Sequence, residues 1–162
     1  MLIAAAAVYG GGSYTALKRE QLNELDALCH TLRLMQDELE TRALPLPELA
    51  AQLEERTESA GKALLSGLLR RLPVLGSQNF QSIWKESVTE SVRYSGEAAR
   101  LLCTLGSFLG RYDVDSQLEA IQSCRETLEK LRTTAAEALP QTRRLGMGLA
   151  LTSGALIVIT LI

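Results

Sequence analysis

All the formal charge in this 162-residue sequence, 17 Lys and Arg against 19 Asp and Glu, lies between Lys18 and Arg144. Uncharged apolar runs flank it, MLIAAAAVYGGGSYTAL ahead of Lys18 and LGMGLALTSGALIVITLI from Leu145 to Ile162. As a helix, the 18 residues of the second run cover roughly 27 Å, close to a hydrocarbon thickness of about 30 Å. Their polar groups are Thr152, Ser153 and Thr160, whose hydroxyls bond back to helix carbonyls, so none of the polar stripe of a soluble helix survives. Gly146, Gly148 and Gly154 suit close helix contact in lipid. Residues 145–162 are therefore expected to form a C-terminal transmembrane helix.

Residues 1–17 are expected to form an N-terminal membrane anchor, weaker than the other span because Gly10-Gly11-Gly12 disfavours helix. A cleaved signal peptide carries its positive charges ahead of the apolar run, whereas Lys18 and Arg19 follow it. Basic residues beside a span favour the cytoplasmic side, so Lys18-Arg19 and Arg143-Arg144 predict a cytoplasmic centre with both termini outside.

Residues 18–144 suffice for one domain with a modest core, and no repeat divides them. Cys29, Cys103 and Cys124 are odd in number and widely spaced, which fits reduced thiols rather than a disulfide framework or a zinc site. His30 is the single histidine, leaving little for a metal site or for base catalysis. No phosphate loop, nucleophile elbow or HExxH motif occurs, so no catalytic residue, cofactor or metal is expected. A net charge of −2 without a basic, aromatic-interleaved patch argues against nucleic acid as a partner.

Periodicity predicts an all-α domain of six helices. Leu22, Leu25, Cys29, Leu32, Met35 and Leu39 form the stripe of a first helix from about Tyr14 to Arg42, ended by Pro45 and Pro47. Pro47 suits the first turn of a second helix reaching about Thr57, with Glu48 at its positive end and Leu49 and Leu53 buried. A third helix through Ala63, Leu64, Leu65, Leu68, Leu69 and Leu72 stops at Pro73. Phe80, Ile83, Trp84 and Val88 define a short fourth, with Trp84 as a core anchor. Ala98 through Leu109 make a fifth, with Gly110 as its candidate cap. Asp113 is a candidate N-cap for a sixth, along Leu118, Ile121, Leu128, Leu131 and Ala135, with Pro140 expected to separate it from the membrane helix.

Charge segregates along the domain. Asp37 to Glu58 holds seven acids against Arg42 and Arg56, while Ser59 to Tyr112 holds seven bases against Glu86, Glu90 and Glu97. The two stretches either complement each other within the bundle or present a docking surface to an oppositely charged partner. Glu54, Glu55 and Glu58, beside rather than on the Leu49/Leu53 stripe, are the candidate partner-binding residues.

The order of parts resembles the stage III sporulation protein AB family: a short apolar start, a leucine-rich helix, the turn Pro45-Leu46-Pro47-Glu48, Trp84 and a hydrophobic end. The most specific match is LGSFLGRYDVDSQ, in which Leu105, Gly106, Leu109, Gly110, Asp113 and Gln117 fit that family's LGxxLGxxDxxxQ pattern. The resemblance implies a component of the channel complex between mother cell and forespore, in the mother-cell membrane facing the forespore. It also implies a cytoplasmic domain like those of the inner-membrane platform proteins of type II secretion and type IV pilus systems. The implied partners are a hexameric secretion-type ATPase and other stage III sporulation channel proteins. From the residues themselves, Gly106 and Gly110 are expected on one helix face, admitting another backbone, with Asp113 and Gln117 closing the helix hairpin. A receptor's sensory module has the same plan of a bundle between two spans, but it needs an output domain, and none is read between Met1 and Ile162.

Overall fold

In a computed structural model, the described residues are 2–42, 44–110 and 113–160 for the backbone, and 15–42, 44–110 and 113–138 for side chains. The architecture is all-helical: α1 (Leu2–Arg42), α2 (Leu46–Glu54), α3 (Ser59–Arg71), α4 (Phe80–Ser91), α5 (Gly96–Leu105) and α6 (Val114–Thr160), with a 3₁₀ turn at Leu72–Val74. Among the described residues there is no strand, and the one bridge pairs Leu75 with Gln78.

Local chemistry sets most boundaries. Pro47 sits in the first turn of α2, where its missing N–H costs nothing, and Pro73 converts the end of α3 into the 3₁₀ turn. Asn79 and Ser95 cap α4 and α5, their side chains accepting from the N–H groups of Ser82 at 2.8 Å and Ala98 at 3.2 Å. Asp113 caps α6, as expected, accepting from the Ser116 N–H at 3.1 Å and its hydroxyl at 2.8 Å. These bonds hold the Asp113 carboxyl below the usual aspartate range, so the cap is charged at neutral pH and fails as pH falls through that lowered value.

The core gathers the predicted stripes. Leu25, Leu28, Leu32, Met35 and Leu39 of α1 meet Leu49 and Leu53 of α2, Leu64, Leu65 and Leu68 of α3, and Ile121 and Leu128 of α6. Trp84 lies at the centre, fully buried, its indole N–H donating to the Leu102 carbonyl at 2.6 Å. The helices α1 and α6 run antiparallel, with Asp26 paired to Arg132 at 2.7 Å and Leu39 sharing a cavity with Gln117.

Several boundaries differ from expectation. The helix α1 begins at Leu2 rather than near Tyr14, continuing through Gly10-Gly11-Gly12. Each glycine costs about 1 kcal/mol relative to alanine, but extending a nucleated helix adds a hydrogen bond per residue. The helix α6 likewise continues past Pro140 instead of breaking there, since proline removes one donor from a ladder that is otherwise intact. In the second helix, Thr57 lies beyond the end at Glu54, its hydroxyl donating to the Leu53 carbonyl at 2.9 Å. Among the described residues no helix is long and apolar enough to cross a membrane. Residues 1–14 of the first expected span and all of the second lie outside the described side chains.

A buried acid joins distant parts of this bundle. Glu24 of α1 is 5% exposed, and its carboxylate accepts the backbone N–H groups of Arg93 at 2.7 Å, Tyr94 at 3.1 Å and Ser95 at 2.9 Å. It thus satisfies the donors of the α4–α5 corner that have no helical partner. Glu24→Ala is expected to destabilise the domain by about 3 kcal/mol, because orphaned buried donors cost roughly 1–3 kcal/mol each, with Glu24→Gln between it and wild type. Urea unfolding followed by circular dichroism measures this, and an unchanged midpoint for Glu24→Ala would remove the corner's dependence on the carboxylate.

Candidate docking surface

The LGxxLGxxDxxxQ residues come together at the α5–α6 joint. Leu105 and Leu109 are buried at 3% and 2% exposure and anchor the joint in the core. Regular helix stops at Leu105, four residues earlier than expected, and Gly106–Gly110 forms a loose turn in which the Leu109 N–H still reaches the Leu105 carbonyl at 3.3 Å. The Ser107 hydroxyl takes the Thr104 carbonyl at 2.7 Å, competing with the helical ladder. Gly106 and Gly110 therefore do not share a helix face. A Cβ at Gly106 would lie 2.8 Å from Trp84 Cγ, so this glycine admits the indole ring rather than another backbone.

Gly110 adopts φ +71°, the left-handed conformation expected of a cap, although it ends the turn and not the helix itself. Its N–H donates to Gln117 Oε1 at 3.2 Å, so the predicted bond across the joint is present, and Gln117 is 8% exposed. A Cβ at Gly110 would stand 3.1 Å from Leu46 Cδ1 of the Pro-Leu-Pro turn. The motif and that turn line one apolar cavity of about 380 Å³ with Leu39, Leu72, Leu75, Phe80 and Val114. Leu75 and Val114 are 49% and 37% exposed at its edge, which leaves an apolar end on the bundle.

The acidic stretch runs from the end of α1 across α2 to Glu58, the N-cap of α3. Glu48, Glu55 and Glu58 are exposed, and their carboxylates make no hydrogen bond or ion pair among the described residues. Glu54 differs from its two candidate neighbours, because its carboxylate accepts the Ser66 hydroxyl of α3. Arg42 and Arg56 both turn to Glu38, at 3.8 and 2.6 Å. In the basic stretch, Arg70 pairs with Glu90 at 3.2 Å, and Arg71 with Glu86 at 3.2 Å and Glu90 at 2.8 Å. Among the described residues no ion pair joins the two stretches, so the segregation of charge persists on the surface.

The reactive residue types are poorly placed for chemistry. Burial, with a smaller contribution from Glu129, pushes the Cys29 thiol up to about 11, and burial raises Cys124 to about 12. Cys103 is raised for the same reason. His30 is exposed beside Asp26 and Glu58, and no group of three His, Cys, Asp or Glu among the described residues is placed to hold a metal ion. Two joints were not anticipated from the sequence, Glu24 on the α4–α5 corner and Trp84 over Gly106. The available signal for the first was an acid one turn before Leu28 on a buried face that continues through Thr31 and Met35.

Gly110→Val is expected to lower stability by about 1–3 kcal/mol through left-handed strain in a β-branched residue, and Gly110→Asn by less. Thermal unfolding of both variants checks the order, and equal melting temperatures for Gly110, Val and Asn would refute a conformational requirement at this position.

A solved structure titled stage III sporulation protein AB (SpoIIIAB) superposes with a TM-score of 0.65 at 21% identity, over 75% of this chain and 97% of that chain. At that identity the likeness concerns the fold. Among curated proteins, none matches the chain. The sequence model of the family described as stage III sporulation protein AB matches residues 1–162, from end to end. This all-helical chain belongs to the stage III sporulation protein AB family.

Proposed function

We propose that the chain is a non-catalytic, membrane-anchored platform of the sporulation channel between mother cell and forespore. In this reading its helical domain faces the mother-cell cytoplasm and docks a hexameric secretion-type ATPase. Residues 1–17 and 145–162 are its membrane anchors, and other stage III channel proteins are its neighbours in the membrane.

The antiparallel pairing of α1 and α6 is the observation that supports this arrangement most. From the Asp26–Arg132 pair, Lys18 lies about 12 Å along α1 and Ala138 about 9 Å along α6, in the same direction. The chain thus enters and leaves the bundle at one end, next to its two apolar runs. Leu39 lies about 20 Å the other way, which puts the apolar cavity and the start of α2 at the far end. A bundle held at one end by two anchors has its other end free for a cytoplasmic partner. The unpaired carboxylates of Glu48 near that end, and of Glu55 and Glu58 along the side of the bundle, where Glu58 stands level with Asp26 and His30, give the partner's contact surface a sign: it is basic.

Capture of the ATPase by the full chain in nanodiscs tests the proposal. Reversal of Glu48, Glu55 and Glu58 to Lys, with Glu54 retained because it holds Ser66, is expected to weaken capture about tenfold or more at low salt, or at least 1.4 kcal/mol. Wild-type capture is expected to decline as salt shortens the Debye length below about 8–10 Å. Full capture by the reversed variant would exclude the α2 face, and no capture by wild type in any nucleotide state would contradict the platform reading.

A further inference from the structure

The α4–α5 corner is fixed at one level of α1 by the Glu24 carboxylate, which takes the N–H groups of Arg93, Tyr94 and Ser95. The fold uses these residues through their backbones and leaves two side chains outside. Tyr94 is 44% exposed, and Arg93 is exposed without an acid partner among the described residues. Neither side chain is needed to bury the core. The corner also sits toward one end of the bundle, because Glu24 is seven residues from Leu17, about 10 Å along the helix. Glu20, one turn nearer that end, lines a cleft of about 240 Å³ with Arg93 and Tyr94, so the corner reaches still closer to Leu17. Leu17 itself is 57% exposed.

We propose that this corner is a membrane-interface contact, with the Tyr94 ring seated among lipid headgroups and the Arg93 guanidinium paired with lipid phosphate. The inference rests on the membrane-anchored reading above, which places the apolar run ahead of Lys18 in the bilayer. The polar layer of each leaflet is about 5–8 Å deep, so the edge of the corner that faces Glu20, about 5 Å along α1 from Leu17, stands at headgroup level. Tyrosine suits this layer because one end of its ring is apolar and the other hydrogen-bonds, and arginine matches phosphate with a planar fork of donors. Lys18, Arg19 and Arg93 face Glu20 and Glu97 around the corner, while the Glu24 carboxylate is taken up by the three backbone N–H groups and Glu90 by Arg70 and Arg71. Glu24 acquires a second consequence from this placement: by clamping the corner to α1, it holds the bundle at a fixed tilt to the membrane.

The test uses the full chain in nanodiscs of anionic lipid, with and without bromine on the upper acyl chain, and tryptophan as the depth probe. Buried Trp84 provides a constant background. Tyr94→Trp is expected to lose emission in brominated lipid, as is Leu17→Trp, while Leu75→Trp at the opposite end keeps its emission. Circular dichroism of each variant verifies the helix content. Quenching of Leu17→Trp without Tyr94→Trp would overturn the corner contact and leave the anchored reading standing. Quenching of neither would overturn both.

Discussion

The antiparallel packing of α1 against α6 is the constraint on which the rest of the domain depends. These two helices are far apart in sequence, and every other helix is strung between them. The attraction is apolar: burying a leucine contributes about 1.5–3 kcal/mol, and α1 and α6 bury at least Leu25, Leu28, Leu32, Ile121 and Leu128. The Asp26–Arg132 pair is half-exposed on both sides, and such pairs contribute about 0–1 kcal/mol. It marks the register of the two helices, while the leucines supply the stability. Once that register is set, α2 and α3 fill one side, and the Glu24 carboxylate determines where the chain turns from α4 into α5.

Two joints with different physics then complete the bundle. The α4–α5 corner is electrostatic, a buried carboxylate collecting three backbone donors that water would otherwise satisfy. The α5–α6 joint is steric, a glycine under the Trp84 ring followed by a left-handed glycine tied to Gln117. The LGxxLGxxDxxxQ pattern is explained largely by this joint. Its leucines are buried, Gly106 makes room for the indole, Asp113 starts α6, and Gln117 closes the turn. The surface around it differs in character: the cavity edge is apolar, and the neighbouring face of α2 carries unpaired acids.

Local patterns in the sequence were enough to read the helices. A stripe at three- and four-residue steps identified α1, prolines bracketed α2 and α3, and Asp113 announced the start of α6. What sequence could not supply were the contacts made across it. Glu24 reads as an ordinary solvated acid until the backbone some 70 residues later is brought against it. The sequence groups Glu54 with Glu55 and Glu58, because α2 alone does not reveal Ser66 on the next helix. Propensity, a local quantity, reads Pro140 as a break and the triple glycine as unfavourable to helix, and helix continuity overrides it in both long helices. The spacing of Gly106 and Gly110 suggested one helix face, which held only if the helix lasted to Gly110.

In the proposed orientation the chain enters and leaves a cytoplasmic bundle on the membrane side, with the apolar cavity directed away. Impermeant thiol labelling in intact cells measures it most directly, with Cys29, Cys103 and Cys124 replaced and single cysteines placed beside Met1, beside Ile162 and at exposed Leu75. Both end positions are expected to be labelled from outside, and Leu75→Cys only after the membrane is permeabilised. Labelling of Leu75→Cys in intact cells, with both ends protected, would contradict it.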